Sequence, residues 1–245
     1  MEECIQFEHV TKSYGDHTIL KDFNLTVRSG EFLTIIGRSG CGKTTALRLI
    51  NGLLFPDAGT VYVNGKDVSK TDLIELRRGI GYAIQGVGLF PHMTIAKNIA
   101  YVPSLSKQWN KKEAQAQVAH LLDIVGLDPA FAGRYPRELS GGQRQRVGIA
   151  RALAANPRIL LMDEPFGAVD EITRRSLQKE ILRLQKELGI TIVFITHDIK
   201  EALALGTRVL VMEDGAIAQL DTPEEIQANP KDDFVRTLIF GQNAE

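Results

Sequence analysis

The chain has few cysteines, no long apolar run and no basic N-terminus, and each of these shortages argues against a class of protein. Its 245 residues include two cysteines, Cys4 and Cys41. Two cysteines make no disulfide framework and are typical of a reducing compartment. Apolar runs such as residues 159–162 fall far short of the roughly 18 residues that a membrane helix needs. The N-terminus carries Glu2 and Glu3, which is unlike the basic start of a signal peptide.

An excess of positive charge is also lacking, because 29 Lys and Arg residues face 30 Asp and Glu residues. The chain as a whole therefore has no basic footprint for nucleic acid, and we expect no nucleic-acid partner. Low-complexity segments, linkers and internal repeats are missing as well. The length suits one large α/β domain or a core with a small subdomain. We expect a single folding unit, and any membrane work would need another chain to do the spanning.

The most informative stretch is a glycine-rich loop at residues 37–45. Residues 32–36 before it predict a buried strand, and residues 46–50 after it predict a helix. Strand, loop and helix form the context that a G-x-x-x-x-G-K-[ST] match requires. Glycines let several N–H groups face one anion, and the helix dipole adds to their attraction. The loop consists of Gly37, Arg38, Ser39, Gly40, Cys41, Gly42, Lys43, Thr44 and Thr45.

Two side chains of this loop predict how a nucleotide would be held. Lys43 can reach the β- and γ-phosphates, and the Thr44 hydroxyl can hold Mg²⁺. A glycine-rich turn without a ligand is the alternative, and the strand and helix around the loop argue against it. Upstream, Tyr14 is a candidate for stacking on the base, although a packing role fits the same residues equally well.

Two predicted core strands end in residues that can do chemistry. Asp163 and Glu164 follow a continuous apolar run, which is typical of a strand covered on both faces. Ligands bind at the carboxyl ends of strands in open α/β sheets. One acid can therefore serve the Mg²⁺ held by Thr44 while its neighbour faces an attacking water. His197 ends a second apolar run, and we expect a role in the site rather than a structural one.

Two further segments carry weaker signals. Gln85 ends a predicted strand and opens the loop 86–91, which we expect to be flexible and to expose large apolar side chains. Ser140 is predicted to cap a helix whose first N–H groups, freed by Gly141 and Gly142, can meet an anion. Taken alone, Gln85 fits a surface residue and the second segment fits an ordinary glycine-started helix.

The remaining segments predict supporting structure. Residues 92–135 are predicted to be helical, residues 174–188 and 199–205 form further helices, and Thr222 begins a capping box with Glu225. One apolar face within the first of these segments consists of Val118, Leu121, Leu122 and Val125.

In order and spacing, these features resemble ABC transporter ATPases over essentially the whole chain. The run Leu-Ser-Gly-Gly-Gln at residues 139–143 is the most specific element of the resemblance. The resemblance implies an α/β fold, a P-loop NTPase (RecA-like) core with an N-terminal antiparallel β subdomain and an inserted α-helical subdomain. The whole chain, 1–245, would be one nucleotide-binding domain, with its core in 1–88 and 157–245 and its helical subdomain in 89–156.

The resemblance also implies a role for each site residue. Tyr14 would stack on the adenine of ATP, and the loop 37–45 would bind its phosphates through Lys43. Thr44 and Gln85 would serve Mg²⁺ directly, and Asp163 would do so through a water molecule. The catalytic set would be Glu164, polarising the lytic water, His197, contacting the γ-phosphate, Gln85 and Lys43.

A second copy of the chain is implied as a partner. The two copies would pack head to tail, with each ATP between one loop 37–45 and the other copy's 139–143 run. Closure would then depend on the γ-phosphate, so that hydrolysis opens the dimer. Residues 166–170 match the loop that couples the two subunits, with Val169 where leucine is more usual. The residues meeting the other copy's ATP would be Ser140, Gly141, Gly142 and Gln143.

Residues 82–94 are similar to the same region of importers of quaternary-amine osmoprotectants, namely glycine betaine, carnitine and choline. Residues 89–91 would then receive integral membrane permease subunits, with the chain peripheral at the cytoplasmic face of the cell membrane. An extracellular or periplasmic solute-binding protein would be an indirect partner. Many such ATPases carry a pair of C-terminal CBS domains, and we expect none within a chain that ends at Glu245.

Three alternatives stay open. An importer ATPase for another small polar solute, such as an amino acid, shares much of the same sequence. A soluble ABC ATPase of DNA repair would need long coiled-coil segments between residues 45 and 139, and one of translation usually has two ATPase halves in one chain. A P-loop kinase or GTPase leaves the 139–143 run unexplained.

Overall fold

A computed structural model describes residues 2–106 and 108–241. Met1, Lys107 and residues 242–245, which include the chain end used above, lie outside the described residues. The chain divides into two compact units. Unit 1 comprises residues 1–77 and 191–245, and unit 2 comprises residues 78–190.

The strands, in chain order, are β1 (Glu3–Tyr14), β2 (His17–Arg28), β3 (Phe32–Gly37), β4 (Ala58–Val63), β5 (Lys66–Asp67), β6 (Ile80–Ala83), β7 (Ile159–Asp163), β8 (Thr191–Ile195), β9 (Arg208–Glu213) and β10 (Ala216–Asp221). The helices are α1 (Lys43–Ile50), α2 (Leu73–Arg78), α3 (Ile95–Ile99), α4 (Tyr101–Leu105), α5 (Lys111–Ile124), α6 (Gly141–Leu153), α7 (Glu171–Leu188), α8 (Ile199–Leu205), α9 (Pro223–Ala228) and α10 (Asp233–Phe240).

Unit 1 contains an antiparallel sheet in the order β2-β1-β4-β5. The sheet forms because β1 and β2 alternate apolar and polar residues, which buries one face of each strand. Phe7 and Phe23 meet edge to face within it, with ring centroids 5.4 Å apart. The register shifts near His9, and both His9 and Asp22 have positive φ angles. Bulges of this kind add a residue to one strand and bend it locally, and β1 and β2 each run for 12 residues.

Unit 1 also contains the strands that carry the glycine-rich loop. β3 lies parallel to both β8 and β9, and β10 pairs antiparallel with β9. All five residues of β8 are buried, as are the first five of β3, which confirms the prediction of strands covered on both faces. The last residue of β3 is Gly37, so the strand delivers the chain directly into the loop.

In unit 2, β6 and β7 pair in parallel. Helix α6 packs against β6 at Gly81, where a Cβ atom would lie 2.3 Å from the carbonyl oxygen of Ala152. Only glycine permits this close approach. All five residues of β7 are buried, so the strand ends at the buried carboxyl group of Asp163.

The segment 92–135 is less continuous than predicted. It contains α3, α4 and α5, and a short 3₁₀ turn at Pro129–Gly133 follows α5. The apolar face of α5 is confirmed, because Val118, Leu121 and Leu122 are all buried. The helix ends before Gly126, whose φ angle is +65°. None of the described helices is long and apolar enough to cross a membrane.

Candidate nucleotide site

The glycine-rich loop joins the end of β3 to the start of α1. Helix α1 begins at Lys43, and its N-cap is Gly42, with a left-handed backbone at φ +104°. No side chain caps this helix end. The first N–H groups of α1 therefore have no side-chain acceptor, which is the arrangement that attracts an anion to a helix N-terminus.

Two glycines of the loop are required by close contacts as well as by conformation. A Cβ atom on Gly37 would lie 2.2 Å from the carbonyl oxygen of Met212 on β9. A Cβ atom on Gly42 would lie 2.8 Å from a methyl group of Leu20. Any larger residue would push the loop off the strands of unit 1, so the loop shape depends on both glycines.

Lys43 is half-buried and is held by its own loop. Its Nζ donates to the carbonyl oxygens of Gly37 and Arg38, at 2.8 Å each, and lies 3.7 Å from the Cys41 Sγ. Its neighbour Thr44 is also half-buried. The ammonium group is thus held close to the backbone of the loop, where its charge would attract an anion bound to the loop's N–H groups.

Two other predicted site residues of unit 1 are accessible to solvent. Tyr14 ends β1 and is 48% exposed, with the Lys12 Nζ 5.9 Å from its ring centroid. His197 is exposed just after β8. Around it, the Asp198 N–H donates to Thr196 Oγ1 at 3.0 Å, and Thr196 Oγ1 donates to Glu201. These bonds fix the chain direction on both sides of His197.

Unit 2 brings two of the predicted residues together. Gln85 Nε2 donates to Glu164 Oε2 at 3.1 Å, although 79 residues separate them in sequence. Glu164 has φ +48°, an uncommon conformation for a residue with a side chain. Asp163 is buried with only 2% of its surface exposed, while Glu164 is half-buried. The two adjacent acids therefore differ in their environments.

The 139–143 run forms the N-terminus of α6, as predicted. Ser140 Oγ accepts from the N–H of Gln143 at 3.2 Å, and Gln143 Oε1 accepts from the N–H of Ser140 at 2.9 Å. This reciprocal pair is a capping box. Gly142 packs so closely that a Cβ atom there would lie 2.7 Å from the carbonyl oxygen of Ala168.

The sequence reasoning missed residues that hold the loop after Gln85. The Asn98 side chain is fully buried, accepts from the N–H of Phe90 at 2.8 Å and donates to three carbonyl oxygens, including that of Phe90 at 3.1 Å. Leu89 and Phe90 are half-buried, so the prediction that this loop exposes large apolar groups is wrong for both. The sequence held only a weak signal, because Asn98 shares one short helix with the apolar Ile95 and Ile99 but lies next to the polar Lys97.

Arg151 was missed as well. From the C-terminal part of α6, its guanidinium donates to the carbonyl oxygens of Val87 and Gly88, at 2.8 Å each. Burial lowers the pKa of Arg151 from its ordinary value. Near the start of α6, Gln145 Oε1 accepts from the N–H of Ala168 at 2.7 Å. Helix α6 therefore holds the loop after Gln85 and the loop after Glu164.

The donors predicted for Mg²⁺ suit that ion chemically. A threonine hydroxyl, a glutamine amide and a carboxylate are hard oxygen ligands, and Mg²⁺ usually takes few of them from the protein and the rest from phosphates and water. Within residues 2–106 and 108–241, no three His, Cys, Asp or Glu side chains gather as a metal cluster.

Comparison with known proteins agrees with this geometry. A family model described as ABC transporter matches residues 20–167. The dimeric ATP-binding cassette MJ0796, bound to ADP and Pi, superposes with a TM-score of 0.84 at 34% identity, covering 89% of this chain and 98% of that one. The chain belongs to the ABC transporter family. The predicted fold, a P-loop NTPase core with an antiparallel β subdomain and a helical insertion, is confirmed.

Among curated proteins, the chain is similar to the carnitine transport ATP-binding protein OpuCA of Listeria monocytogenes, at 52% identity over 236 residues. That match covers 96% of this chain and 59% of the relative. The chain is also similar to the glycine betaine uptake system ATP-binding protein YehX of Escherichia coli (strain K12), at 46% identity over 239 residues. Here the match covers 98% of this chain and 77% of the relative.

Proposed function

We propose that the chain binds and hydrolyses ATP as the nucleotide-binding subunit of an importer of quaternary-amine osmoprotectants. The observation that carries the proposal is the loop 37–45, whose left-handed Gly42 opens a helix with no side-chain cap beside the ammonium group of Lys43. Membership of the ABC transporter family supports ATP as the nucleotide. The names of the relatives support the solute class.

The loop would bind the phosphates through backbone N–H groups and the charge of Lys43. To do so, Lys43 exchanges its bonds to the carbonyls of Gly37 and Arg38 for bonds to phosphate oxygens. Mg²⁺, held by Thr44 and Gln85 and through water by Asp163, would neutralise charge on the phosphates. Tyr14 would stack on adenine, for which its exposed ring is suited.

Glu164 would act as the general base. It takes a proton from water while the water oxygen bonds to the γ-phosphorus and the bond to the ADP oxygen breaks. The hydrogen bond from Gln85 orients this carboxylate, and the preceding Asp163 stays with the metal. His197 would contact the γ-phosphate. Most of the rate enhancement then comes from positioning and electrostatic stabilisation.

A second copy of the chain would complete each site. Ser140, Gly141, Gly142 and Gln143 of one copy would meet the ATP held by the loop 37–45 of the other. The N-terminus of α6 supports this role, because the half-buried Gly141 and Gly142 carry no side chain that would shield their N–H groups from a phosphate. The dimeric MJ0796 cassette with bound ADP and Pi supports the formation of a dimer.

The membrane subunits would dock at a groove in unit 2. This groove, of about 290 Å³, is lined by Tyr82, Phe90, Tyr101 and Arg151, among others. The rings of Phe90 and Tyr101 are in contact, with centroids 4.7 Å apart and planes tilted by 49°, and offer an apolar floor. The chain would thus be peripheral at the cytoplasmic face of the cell membrane, and an external solute-binding protein would deliver the solute.

ATP binding is tested by titrating the purified chain with a fluorescent ATP analogue. The unaltered chain should bind it, and Lys43→Ala should abolish binding because the phosphate charge loses its partner. Lys66→Ala, an exposed lysine at the start of β5, is the matched control and should bind as the unaltered chain does. Equal affinity of Lys43→Ala and the unaltered chain would refute the role of the loop.

The solute class is tested with the native membrane subunits. The complex is reconstituted in lipid vesicles, and ATP hydrolysis is measured with glycine betaine, carnitine, choline or amino acids on the opposite side. Stimulation by a quaternary amine supports the proposal. Stimulation by an amino acid alone would make the chain an importer ATPase of a different solute class, and a hydrolysis rate that neither the membrane subunits nor any solute changes would favour a soluble ATPase.

A further inference from the structure

The second residue of the glycine-rich loop 37–45, called the phosphate loop from here on, contacts α10, the last described helix of unit 1. Arg38 is exposed, and its guanidinium carbon lies 5.1 Å from the ring centroid of Phe234 on α10. A cation at this distance over an aromatic face is attracted by the ring quadrupole. Loop and helix are nearly 200 residues apart in sequence, so local structure does not account for the contact.

Phe234 is itself fixed by the core of unit 1. It is half-buried and packs on a cluster of buried apolar residues, which are Ile36, Ala202, Val209, Val211, Ile226 and Val235. Ile36 is the residue immediately before Gly37. The same cluster therefore anchors both the start of the phosphate loop and the aromatic ring on which Arg38 rests.

Arg38 also connects this contact to the residue that binds phosphate. Its backbone carbonyl accepts a hydrogen bond from Lys43 Nζ at 2.8 Å, while its side chain rests on Phe234. A change in the position of Arg38 consequently moves a hydrogen-bond partner of Lys43. A loop held in one conformation loses less entropy when it binds a ligand, and its affinity rises accordingly.

We propose that Phe234 is a positioning residue for nucleotide binding, which stacks on Arg38 and holds the phosphate loop in its binding conformation. The inference rests on the proposed function and adds to it a residue from α10 that touches neither nucleotide nor metal. Its effect falls on affinity rather than on the chemical step, because bound phosphates order the loop whether or not the ring is present.

The test uses the full chain and a double-mutant cycle. Phe234→Leu keeps an apolar side chain on the core cluster and removes the aromatic face, and Arg38→Met removes the charge at similar length. Each single variant should weaken ATP binding by about two- to fivefold, the range of an exposed cation–π pair. In the Arg38→Met background, Phe234→Leu should have no further effect. The KM for ATP should rise while kcat stays unchanged.

Two further variants separate positioning from folding. Tryptophan has the strongest cation-binding face among the aromatic residues. Phe234→Trp should therefore bind ATP as tightly as the unaltered chain, in contrast to Phe234→Leu. Phe240, on the same helix, is 49% exposed. Phe240→Leu removes its aromatic ring as the control and should bind ATP as the unaltered chain does. Unchanged or tighter binding by Phe234→Leu, or an equal loss in the Arg38→Met background, would overturn the inference.

The outcomes also separate this inference from the proposed function. If the unaltered chain bound no ATP, the proposed function would fail, and the role of Phe234 would fail with it. If the unaltered chain binds ATP, Lys43→Ala does not, and Phe234→Leu matches the unaltered chain, only the role of Phe234 is refuted.

Discussion

Gln85 and Glu164 are joined by a hydrogen bond of 3.1 Å between the amide nitrogen of one and a carboxylate oxygen of the other. Gln85 follows β6, and Glu164 follows the neighbouring parallel strand β7. The bond fixes the side chain of an acid whose backbone already has an uncommon positive φ angle. Residues in such conformations are concentrated at functional sites, where the surrounding structure stabilises them.

This bond makes Glu164→Gln a sharp test of catalysis. Glutamine keeps an oxygen that can accept from Gln85, so the local structure should survive, but it cannot take a proton from water. Hydrolysis should fall by roughly 10²-fold or more, as for the loss of a general base. ATP binding should persist, and ATP should trap a dimer. Phosphate release, ATP titration and size-exclusion chromatography measure these outcomes.

The matched control for this variant is Glu187→Gln, which alters an exposed carboxylate paired with Arg183 on α7. Exposed pairs contribute little, so this variant should hydrolyse ATP at the rate of the unaltered chain. If Glu164→Gln also turned over at that rate, Glu164 would not be the base.

Asn98→Ala should loosen the loop after Gln85. The substitution leaves the N–H and carbonyl groups of the 90–94 turn without their buried partner, at a cost of about 1–3 kcal/mol for each group left unpaired. The free energy of unfolding should therefore fall by at least about 1 kcal/mol, and amide exchange at Phe90 should accelerate. Denaturant unfolding and hydrogen exchange measure the two effects. Lys97→Ala, an exposed neighbour on α3, should change neither.

The two cysteines should respond differently to an alkylating reagent when ATP is present. Cys41 lies inside the phosphate loop, so its alkylation should block ATP binding and ATP should protect it. Cys4 and Cys41 are both buried, so both should react slowly, and burial also raises the pKa of the Cys4 thiol, so its reactive thiolate is scarce. Labelling that ATP suppresses should disappear in Cys41→Ser and remain in Cys4→Ser. Labelling of Cys41 at the same rate with and without ATP would contradict the prediction.

Asp57 should contribute to the pH dependence of stability. Lys12 donates to one of its carboxylate oxygens at 2.8 Å and the Ser13 N–H to the other at 2.7 Å, and these bonds lower the pKa of Asp57. A lowered pKa means that the folded state favours the carboxylate. The stabilisation is therefore present above the ordinary carboxyl pKa and lost as the pH falls through the lowered value.

Asp57→Asn should accordingly reduce the free energy of unfolding at pH 7, and the difference from the unaltered chain should vanish in acid. Urea unfolding at a series of pH values measures it. Asp16→Asn, in the turn between β1 and β2, removes a comparable exposed charge and serves as the control. A difference that is constant across the pH range would argue against the charge of Asp57 as its cause.

Local sequence patterns predicted much of the fold. The apolar runs of β3, β7 and β8 were sufficient, because strands covered on both faces leave little choice of residue. Helix α8 has the predicted bounds, Ile199–Leu205. The prediction at Thr222 was half right. Its hydroxyl accepts from the Glu225 N–H at 3.3 Å, but Glu225 Oε1 accepts from Asn229 instead of returning to Thr222.

The interactions that the sequence did not predict depend on distant partners. Arg151 binds carbonyl groups that lie 63 and 64 residues away, and Phe234 meets Arg38 across most of the chain. Every residue has a backbone carbonyl group, so the sequence does not show which carbonyl groups an arginine binds. Arg151 therefore could not be distinguished from a solvent-exposed arginine. The glycine-rich loop was readable because one short segment contains all of its chemistry.

Helix α6 has 13 residues and is therefore about 20 Å long. Within that length it presents Ser140 and Gln143 at its start, holds Ala168 through Gln145, and grips Val87 and Gly88 through Arg151. One helix thus supports the loops after Gln85 and Glu164 and also forms the N-terminus that carries Ser140 and Gln143. A substitution in α6 that moves one of these segments would also move the others. We therefore expect few substitutions in α6 to be tolerated, even at positions that touch no ligand.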